Sequence, residues 1–145
     1  MFAGAKLALL LDGAVLAYLR DDLGHIPFPG HWDLPGGGRE GDETAEACVL
    51  RELAEEFGLH LTPDRLIWRR AYASAHLPGQ GAVFFAGHLR REELGRIAFG
   101  SEGQHWQMMA VDAFLAHPWA VPSLQLRLAE FLHQGIGPAG SPALG

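Results

Sequence analysis

Residues 37–59 read GGREGDETAEACVLRELAEEFGL, and the second half of this stretch has the pattern of a helix with three glutamates on one side. At about 100° per residue, Glu52, Glu55 and Glu56 fall within an arc of roughly 100°. Like charges this close repel one another and lower the stability of a helix. Clustered carboxylates suit Mg²⁺ or Mn²⁺, which prefer hard oxygen ligands. The pattern therefore predicts a divalent-metal site.

The same stretch resembles the Nudix box of the Nudix hydrolases at every fixed position, Gly37-x5-Glu43-x7-Arg51-Glu52-Leu53-x-Glu55-Glu56-x-Gly58-Leu59. A second segment, 99–109, resembles the loop and strand with which MutT-type members bring one more glutamate, here Glu102, to the metals. The resemblance extends over about residues 5–133. It implies an α/β fold, the Nudix-type α/β/α sandwich with a mixed central sheet.

The resemblance also implies the roles of the acidic residues. Glu52, Glu55 and Glu56 would bind divalent cations that bridge a diphosphate, with the Gly37 carbonyl as a further ligand. Such ions can neutralise the phosphate oxygens, stabilise the leaving phosphate and activate a water. Glu102 would bind an ion or accept a proton from the attacking water, and Glu52 and Glu102 are assigned jointly as general base. The alternatives are a solvated helix face for the α-helical glutamates and a solvated loop residue for Glu102.

Three residues of the box have further predicted roles, two of them with an alternative. Arg51 is permanently cationic and cannot bind a metal, so we expect it to orient carboxylates by hydrogen bonds. Glu43 falls on the opposite side of an ideal helical wheel; the resemblance gives it an orienting role, and a favourable interaction with the helix dipole is the alternative. Gly37 either contributes its carbonyl to the metal site or forms a turn that needs φ > 0.

Substrate contacts are predicted outside the box. Arg20, at the end of the second predicted strand, is a candidate for binding a substrate phosphate, with a surface arginine as the alternative. Trp32, beside the Pro-Gly-Gly turn, is the tryptophan best placed to stack a base, and core packing is its alternative. Trp106 and Trp119 are expected to pack in the core or at its rim.

Composition limits the class of partner. The net charge is −6 and no run of basic residues occurs, so we expect a small phosphorylated, nucleotide-like substrate and no nucleic-acid partner. No apolar run reaches the length of a membrane span. The apolar run Leu7–Leu11 is interpreted as part of a first strand rather than as a signal peptide. The single cysteine, Cys48, suits the cytoplasm and reads as a packed residue rather than a catalytic thiol. The sequence is compatible with either a monomer or a homodimer.

The periodicity of the chain predicts one domain over residues 1–134, followed by a disordered tail over 135–145 that is rich in Gly, Pro and Ala. Thr44 is the expected N-cap of the box helix and Gly58 its C-terminal stop. The remaining predicted elements are strands over Ala5–Leu11, Ala14–Arg20, Leu66–Ser74, Ala82–Leu89 and Gln104–Ala110, a short extended piece over Trp32–Leu34, and helices over Val111–Ala116 and Ser123–Gln134.

Signals that distinguish Nudix subfamilies are mostly absent. Ser74 and Ala75 stand where one type of ADP-ribose pyrophosphatase has a proline, Pro78 is slightly late, and Tyr72 is too early for dinucleoside polyphosphate hydrolases. MutT reads its oxidised purine with an asparagine, and this chain contains none. We therefore expect a metal-dependent pyrophosphohydrolase acting on a nucleoside triphosphate, a nucleotide sugar or a similar compound. The alternative is a Nudix-fold ligand-binding or regulatory module without turnover, although the intact box favours the enzyme.

Overall fold

A computed structural model of the chain describes residues 2–74 and 79–134. Its strands are Phe2–Leu11 (β1), Ala14–Leu19 (β2), Trp32–Asp33 (β3), Gly36–Gly38 (β4), Trp68–Ala73 (β5), Gly81–His88 (β6) and His105–Ala110 (β7). Its helices are Ala45–Phe57 (α1), Arg91–Leu94 (α2), Val111–Ala116 (α3) and Pro122–Gln134 (α4), with one 3₁₀ turn at Pro63–Arg65.

The strands form one mixed sheet with β1 at its centre. The order is β3-β2-β1-β6-β5, with β4 also on β1 and β7 also on β2. Strand β1 runs parallel to β6, whereas the pairs β1–β2, β1–β4, β2–β3, β2–β7 and β5–β6 are antiparallel. The N-terminal part of β1 pairs with β4 and its last two residues pair with β2. The two partners of β1 therefore separate, and β4 is left beside α1.

Helices cover both faces of this sheet. Successive side chains of a strand point to opposite faces, so β1 and β6 each contribute to two cores. On one face, Leu7, Leu9 and Phe85 pack in the same cluster as α1 residues. On the other face, Ala8 and Phe84 belong to the cluster that includes residues of α3 and α4. This arrangement confirms the predicted α/β/α sandwich with a mixed central sheet.

Helix α1 begins and ends as predicted because a capping residue stands at each end. The Thr44 hydroxyl accepts a hydrogen bond from the Ala47 N–H at 3.1 Å, which satisfies one of the free donors of the first turn. Gly58 adopts φ 67°, the left-handed conformation that commonly follows a helix C-terminus. In α4, Phe131 is buried and Leu132 is exposed, so Phe131 belongs to the inward face of this helix.

Three elements were not predicted. Strand β4 consists of glycines only and therefore shows no alternating side-chain pattern, and α2 and the 3₁₀ turn are too short for a helical period. Ala75, Pro78 and the predicted tail over 135–145 lie outside the described residues. Among the described helices, none combines the length and the apolar character needed to cross a bilayer.

Candidate metal and substrate site

The rotation of α1 is fixed by its buried face. Val49, Leu53 and Phe57 are fully buried against the sheet and recur at helical spacing. With this face turned inward, Glu52 and Glu56 point towards β4, whose glycines contact both side chains. The sequence thus places two of the predicted metal ligands at a glycine strand by burying the helix in one orientation.

Glu56 is the buried member of the acidic set, with 8% of its surface exposed. Its Oε1 accepts a hydrogen bond from the Gly36 N–H at 2.9 Å. Burial raises the pKa of Glu56 to about 8, against the opposing effect of the nearby Lys6. A carboxyl group in this environment gains from a cation that would compensate its charge.

Lys6 connects the strands around Glu56. Its Nζ donates to Asp33 at 3.0 Å and to the carbonyl oxygens of Leu34 at 3.2 Å and Gly36 at 3.3 Å. Asp33 is almost fully buried and also accepts from the Tyr18 hydroxyl at 3.1 Å. Although burial acts in the other direction, Lys6 and other donors hold the pKa of Asp33 below its usual value. This ion pair fixes the chain segment that leads into β4.

Gly37 is required for space rather than for backbone conformation. A Cβ on this residue would lie 2.5 Å from the Cδ and Oε2 atoms of Glu52, a distance that real Cβ atoms do not show. The expectation that Gly37 needs φ > 0 is wrong, because the positive φ of this strand, 135°, is at Gly36. Burial raises the pKa of Glu52. The close approach leaves the Glu52 carboxylate against bare backbone.

Arg51 bonds to several carboxylates at once. Its Nε and Nη2 donate to the two oxygens of Glu43 at 2.6 and 3.1 Å, and its Nη1 donates to Glu52 at 3.3 Å and Glu55 at 3.1 Å. Nη2 also donates to the Gly38 carbonyl at 3.0 Å. The bonds from Arg51 lower the pKa of Glu43 to about 2. The ideal wheel was wrong for Glu43, since this residue precedes α1 and the loop folds back onto the helix.

The acidic side chains do not form a ready-made ligand cage. Within residues 2–74 and 79–134, no three acidic, histidine or cysteine side chains converge as ion ligands. Glu52 and Glu55 bond to Arg51, and Glu56 bonds to Gly36. Their chemistry nevertheless fits a hard divalent cation, because the set offers carboxylate oxygens and includes a buried carboxyl with a raised pKa. Binding would exchange hydrogen bonds to Arg51 for bonds to the ion.

Cys48 lies behind this set and is fully buried. Its Sγ donates to the Gly37 carbonyl at 3.6 Å. Burial raises the pKa of the Cys48 thiol to about 11, so the group stays protonated near neutral pH. The structure agrees with the prediction of a packed residue.

The loop that carries Glu102 is attached to the last turn of α1. The Gly100 N–H donates to the Glu56 carbonyl at 2.8 Å, and a Cβ on Gly100 would lie 2.9 Å from the Glu55 carbonyl oxygen. The Gly103 N–H donates to Asp21 at 3.2 Å. Glu102 itself is exposed and, within the described part of the chain, makes no hydrogen bond or ion pair with the α1 glutamates. The fold brings the loop to the acidic set but leaves this carboxylate in solvent.

A cavity of about 310 Å³ opens beside β4. Its walls include Gly37 and Gly38, the start of β1, and Leu124 and Arg127 of α4. Lys6 and Asp33 also line it. Sequence reasoning missed Lys6, Asp33 and Arg127. Lys6 carried a usable signal, since a lysine stands inside an otherwise apolar strand.

The two predicted substrate contacts are already engaged with protein atoms. Arg20 lines the cavity, while its Nε donates to the Pro27 carbonyl and its Nη1 to Asp33, each at 2.9 Å. Trp32 is only 9% exposed and meets the rings of His105 and His117 edge-on, with centroid distances of 5.4 and 6.3 Å. The structure brings Arg20 to the cavity and packs Trp32 into the core. Trp106 is half-buried, whereas Trp119 is 59% exposed.

Known proteins resemble this chain in sequence. Segments of 38 and 51 residues are 47% identical to an 8-oxo-dGTP diphosphatase of Proteus vulgaris and to the nucleoside triphosphatase NudI of Escherichia coli. These segments cover 26% and 34% of the chain, and the chain spans about a third of the length of these curated relatives, 34% and 35%.

Solved structures share the fold. The MutT protein of Methanosarcina mazei superimposes with a TM-score of 0.71 at 19% identity, over 90% of this chain and 91% of that one. A bifunctional NMN adenylyltransferase/ADP ribose pyrophosphatase of Francisella tularensis, complexed with AMP and a manganese ion, gives 0.72 at 17% identity over 92% and 42%. The NUDIX domain of Shewanella oneidensis NrtR, complexed with ADP ribose, gives 0.65 at 22% identity over 91% and 88%.

The family itself is decided by a match over most of the sequence. The family model of the NUDIX domain matches residues 3–130, a range that includes α1, β4, the loop of Glu102 and most of α4. The chain belongs to the Nudix family.

Proposed function

We propose that this protein is a divalent-metal-dependent pyrophosphohydrolase that cleaves a phosphoanhydride in a nucleoside diphosphate linked to a group X. The observation that carries this proposal is the position of Glu52 and Glu56 against the glycines of β4, which also form a wall of the cavity. A diphosphate held at β4 would place its X group or its nucleoside in that cavity.

The proposed metal ligands are Glu52, Glu55, Glu56, Glu102 and the Gly37 carbonyl, and the proposed ion is Mg²⁺ or Mn²⁺. When bound, the ion would neutralise the diphosphate oxygens and lower the pKa of a bound water. The manganese ion in the Francisella structure supports this assignment.

Around these ligands, Arg51 is proposed as a positioning residue, because its guanidinium already holds Glu43, Glu52 and Glu55 in one network. Glu52 and Glu102 are jointly proposed as general base. Arg20 remains a proposed contact to a substrate phosphate. Its guanidinium would then donate both to the phosphate and to Asp33. Trp32 remains a proposed stacking surface, of which little is exposed.

The substrate is proposed to be a small nucleotide-like molecule. The names of the relatives support a nucleotide, since they include a diphosphatase for 8-oxo-dGTP and a nucleoside triphosphatase. The net charge of −6 supports a small molecule over a nucleic acid. The single buried thiol supports a reducing compartment such as the cytoplasm.

A second candidate is a Nudix-fold module that binds its ligand without turnover. It is favoured by the acidic side chains, which bond to Arg51 and Gly36 instead of forming a ligand cage among the described residues. The NrtR domain, complexed with ADP ribose, shows that the fold accepts such a ligand. The intact acidic set favours the enzyme.

The test is release of phosphate or pyrophosphate from a panel of nucleotides and nucleotide sugars, with Mg²⁺, Mn²⁺ or EDTA. We expect one preferred substrate to be cleaved only with metal, and Glu56→Gln to lower kcat/KM by roughly 100-fold or more, as when one charge-stabilising group is removed. Glu46→Gln is the matched control, because Glu46 lies on the same helix but pairs with Arg69 at the surface.

Two outcomes would contradict the proposal, the first its site and the second its activity. Equal activity of wild type and Glu56→Gln would separate the hydrolysis from the acidic set. Specific binding of a nucleotide by the wild-type protein, without product release under any metal, would favour the binding module.

A further inference from the structure

Arg127 bounds the cavity at a distance from the acidic set that can be read from the sheet register. Gly38 pairs with Gly4, Gly4 with Ala82, and Ala82 with Tyr72, so these four residues form one row across β4, β1, β6 and β5. Three strand spacings separate the ends of this row by roughly 14 Å. The guanidinium of Arg127 lies over the Tyr72 ring, 4.7 Å from its centroid. Arg127 therefore lies near the end of the row that is remote from β4.

The floor between these ends carries small side chains. Gly4 and Ala82 both line the cavity, and neither has a side chain that extends beyond Cβ. A Cβ on Gly4 would lie 2.7 Å from the Gly37 carbonyl oxygen, so no larger residue is accommodated there. A substrate held by its diphosphate at β4 can extend along this floor, and its X group or its nucleoside is the part that meets Arg127.

Arg127 is a cation without a carboxylate partner in the described part of the chain. Its Nη2 donates to the Ala73 carbonyl at 3.3 Å, and its guanidinium lies over the face of Tyr72. The nearest helical acid, Glu130, is instead bonded to Arg70 and Tyr72. Burial lowers the pKa of Arg127, which marks the environment as unfavourable for an uncompensated charge. A guanidinium has five N–H donors, so most of those of Arg127 are available.

The other charges of the cavity are already paired. Lys6 and Arg20 both contact Asp33, so these two cations share one anion. Among the described lining residues, three are cationic and one is anionic. The cavity thus has a positive excess inside a chain of net charge −6. Among its described cations, Arg127 is the one that pairs with no described carboxylate.

Resting on the proposed function, we propose that Arg127 selects substrates that carry an anionic substituent, a phosphate or a carboxylate, at the end remote from the scissile diphosphate. The guanidinium would bind this anion through a pair of parallel N–H donors, which is the geometry that favours arginine over lysine at such sites. Stacking on Tyr72 would hold the guanidinium plane in position beforehand.

The test compares two matched pairs of compounds that differ only in the remote anion. UDP-glucuronate and UDP-glucose differ by a carboxylate, and the 2′-phosphate ester of ADP-ribose and ADP-ribose differ by a phosphate. We expect wild type to prefer the anionic member of at least one pair, and that pair identifies the anion. Arg127→Gln should lower kcat/KM for this member by about 10- to 100-fold, the effect of one charge-assisted hydrogen bond, and leave the neutral member within about twofold. Arg69→Gln, an exposed arginine of β5 outside the cavity, should leave the preference unchanged.

Calorimetric titration of the same four compounds in EDTA gives a readout independent of turnover. A lower Kd for the anionic members in wild type that is lost in Arg127→Gln would support the inference. This holds even if none of the four compounds is hydrolysed, because the absence of hydrolysis bears on the proposed activity and not on the role of Arg127. Equal Kd values within both pairs, or an equal loss for anionic and neutral members in Arg127→Gln, would overturn it.

Discussion

The backbone of Gly37 and the carboxylate of Glu52 lie so close together that no side chain fits between them. A Cβ at residue 37 would lie 2.5 Å from the Glu52 carboxyl carbon. Glycine is therefore favoured here by the lack of space and not by a positive φ. Because the Glu52 carboxylate lies at the end of a flexible side chain, an added methyl group would displace it rather than unfold the protein. This contact therefore affects the geometry of the site more than the stability of the fold.

We expect Gly37→Ala to lower kcat/KM by at least about tenfold, since a displacement near 1 Å in a catalytic group can cost far more than that. The free energy of unfolding should fall by no more than about 1 kcal/mol. Kinetics on the preferred substrate and urea denaturation measure the two quantities. Gly38→Ala is the matched variant, because the nearest atom to its Cβ is 3.9 Å away, and its kinetic effect should be several times smaller. Equal kinetic losses in both variants would contradict the steric explanation.

Single residues of the site differ in how far the sequence revealed them. The common side of Glu52, Glu55 and Glu56 on α1 was predictable because local helical geometry alone determines it. Lys6 and Asp33 were not, because their 3.0 Å ion pair joins residues 27 positions apart, on two strands that are brought near each other by pairing with β2. The exposed position of Glu102 was also hidden, since the sequence indicates a glycine-rich loop but not the direction of its side chains.

Among the elements, the 3₁₀ turn and α2 are joined by one buried ion pair. The Arg65 Nη1 and Nη2 atoms donate to the two carboxylate oxygens of Glu93 at 2.7 and 2.8 Å, and the Arg90 N–H donates to the same group at 2.7 Å. Glu93 is only 4% exposed. The bonds from Arg65 lower the pKa of Glu93 from 4.5 to about 2. The folded protein therefore stabilises the ionised form of Glu93 relative to the unfolded chain.

We expect Glu93→Gln to destabilise the protein by up to about 3 kcal/mol at pH 7, the equivalent of the change in pKa. A carboxyl with a lowered folded pKa contributes stability above its unfolded pKa and loses it as the pH falls towards the folded value. The difference between wild type and variant should therefore be constant above about pH 5 and shrink between 4.5 and 2. Denaturant unfolding across this range measures it, with the exposed Glu92→Gln as control. A difference that persists at pH 2 would point to lost packing instead.

Among the secondary-structure elements, those whose ends carry capping residues were predicted best from the sequence. Helix α1 was predicted correctly because Thr44 and Gly58 mark its boundaries, and both caps are observed. Strand β4 was read as a turn because three glycines carry no periodicity, and only their pairing with Gly4–Lys6 makes them a strand. The element that contacts the acidic set was thus the one least visible in the sequence.

For the molecule as a whole, the buried Glu56 couples folding to pH. Its pKa is raised from 4.5 to about 8, so the folded metal-free protein binds a proton that the unfolded chain releases at neutral pH. Stability without metal should therefore fall as the pH rises from about 4.5 to 8, by at most about 5 kcal/mol. An ion that binds the carboxylate would reverse this loss, because it binds the folded state and requires the ionised group.

We expect the rise in Tm on adding Mg²⁺ to wild-type protein to grow between pH 6 and 9. In EDTA, Glu56→Gln should be more stable than wild type at pH 9, with an advantage that vanishes near pH 4.5, because glutamine can accept the Gly36 hydrogen bond without charge. Scanning calorimetry at several pH values with Mg²⁺ or EDTA measures both effects. A Mg²⁺ effect on Tm that is the same at pH 6 and pH 9 would contradict the role of Glu56.

The layered architecture was predictable from the resemblance, and the sandwich is confirmed. The cavity was not, because its walls combine residues near both ends of the chain, such as Gly4 and Arg127, which only the completed sheet brings together. The same reason explains why the substrate could not be read from the box. The box defines the acidic set, whereas the residues that would meet the X group lie on β1 and α4.

The buried thiol of Cys48 has a practical consequence for spectroscopy. It is the single cysteine of the chain, it is inaccessible to solvent, and its pKa of about 11 keeps it unreactive at neutral pH. Thiol-directed fluorophores or spin labels should therefore leave the wild-type protein unmodified. One cysteine introduced at Leu126, a 73% exposed position next to Arg127, would then carry the label alone. Such a probe on α4 can report ligand entry into the cavity without removal of any native residue of the core.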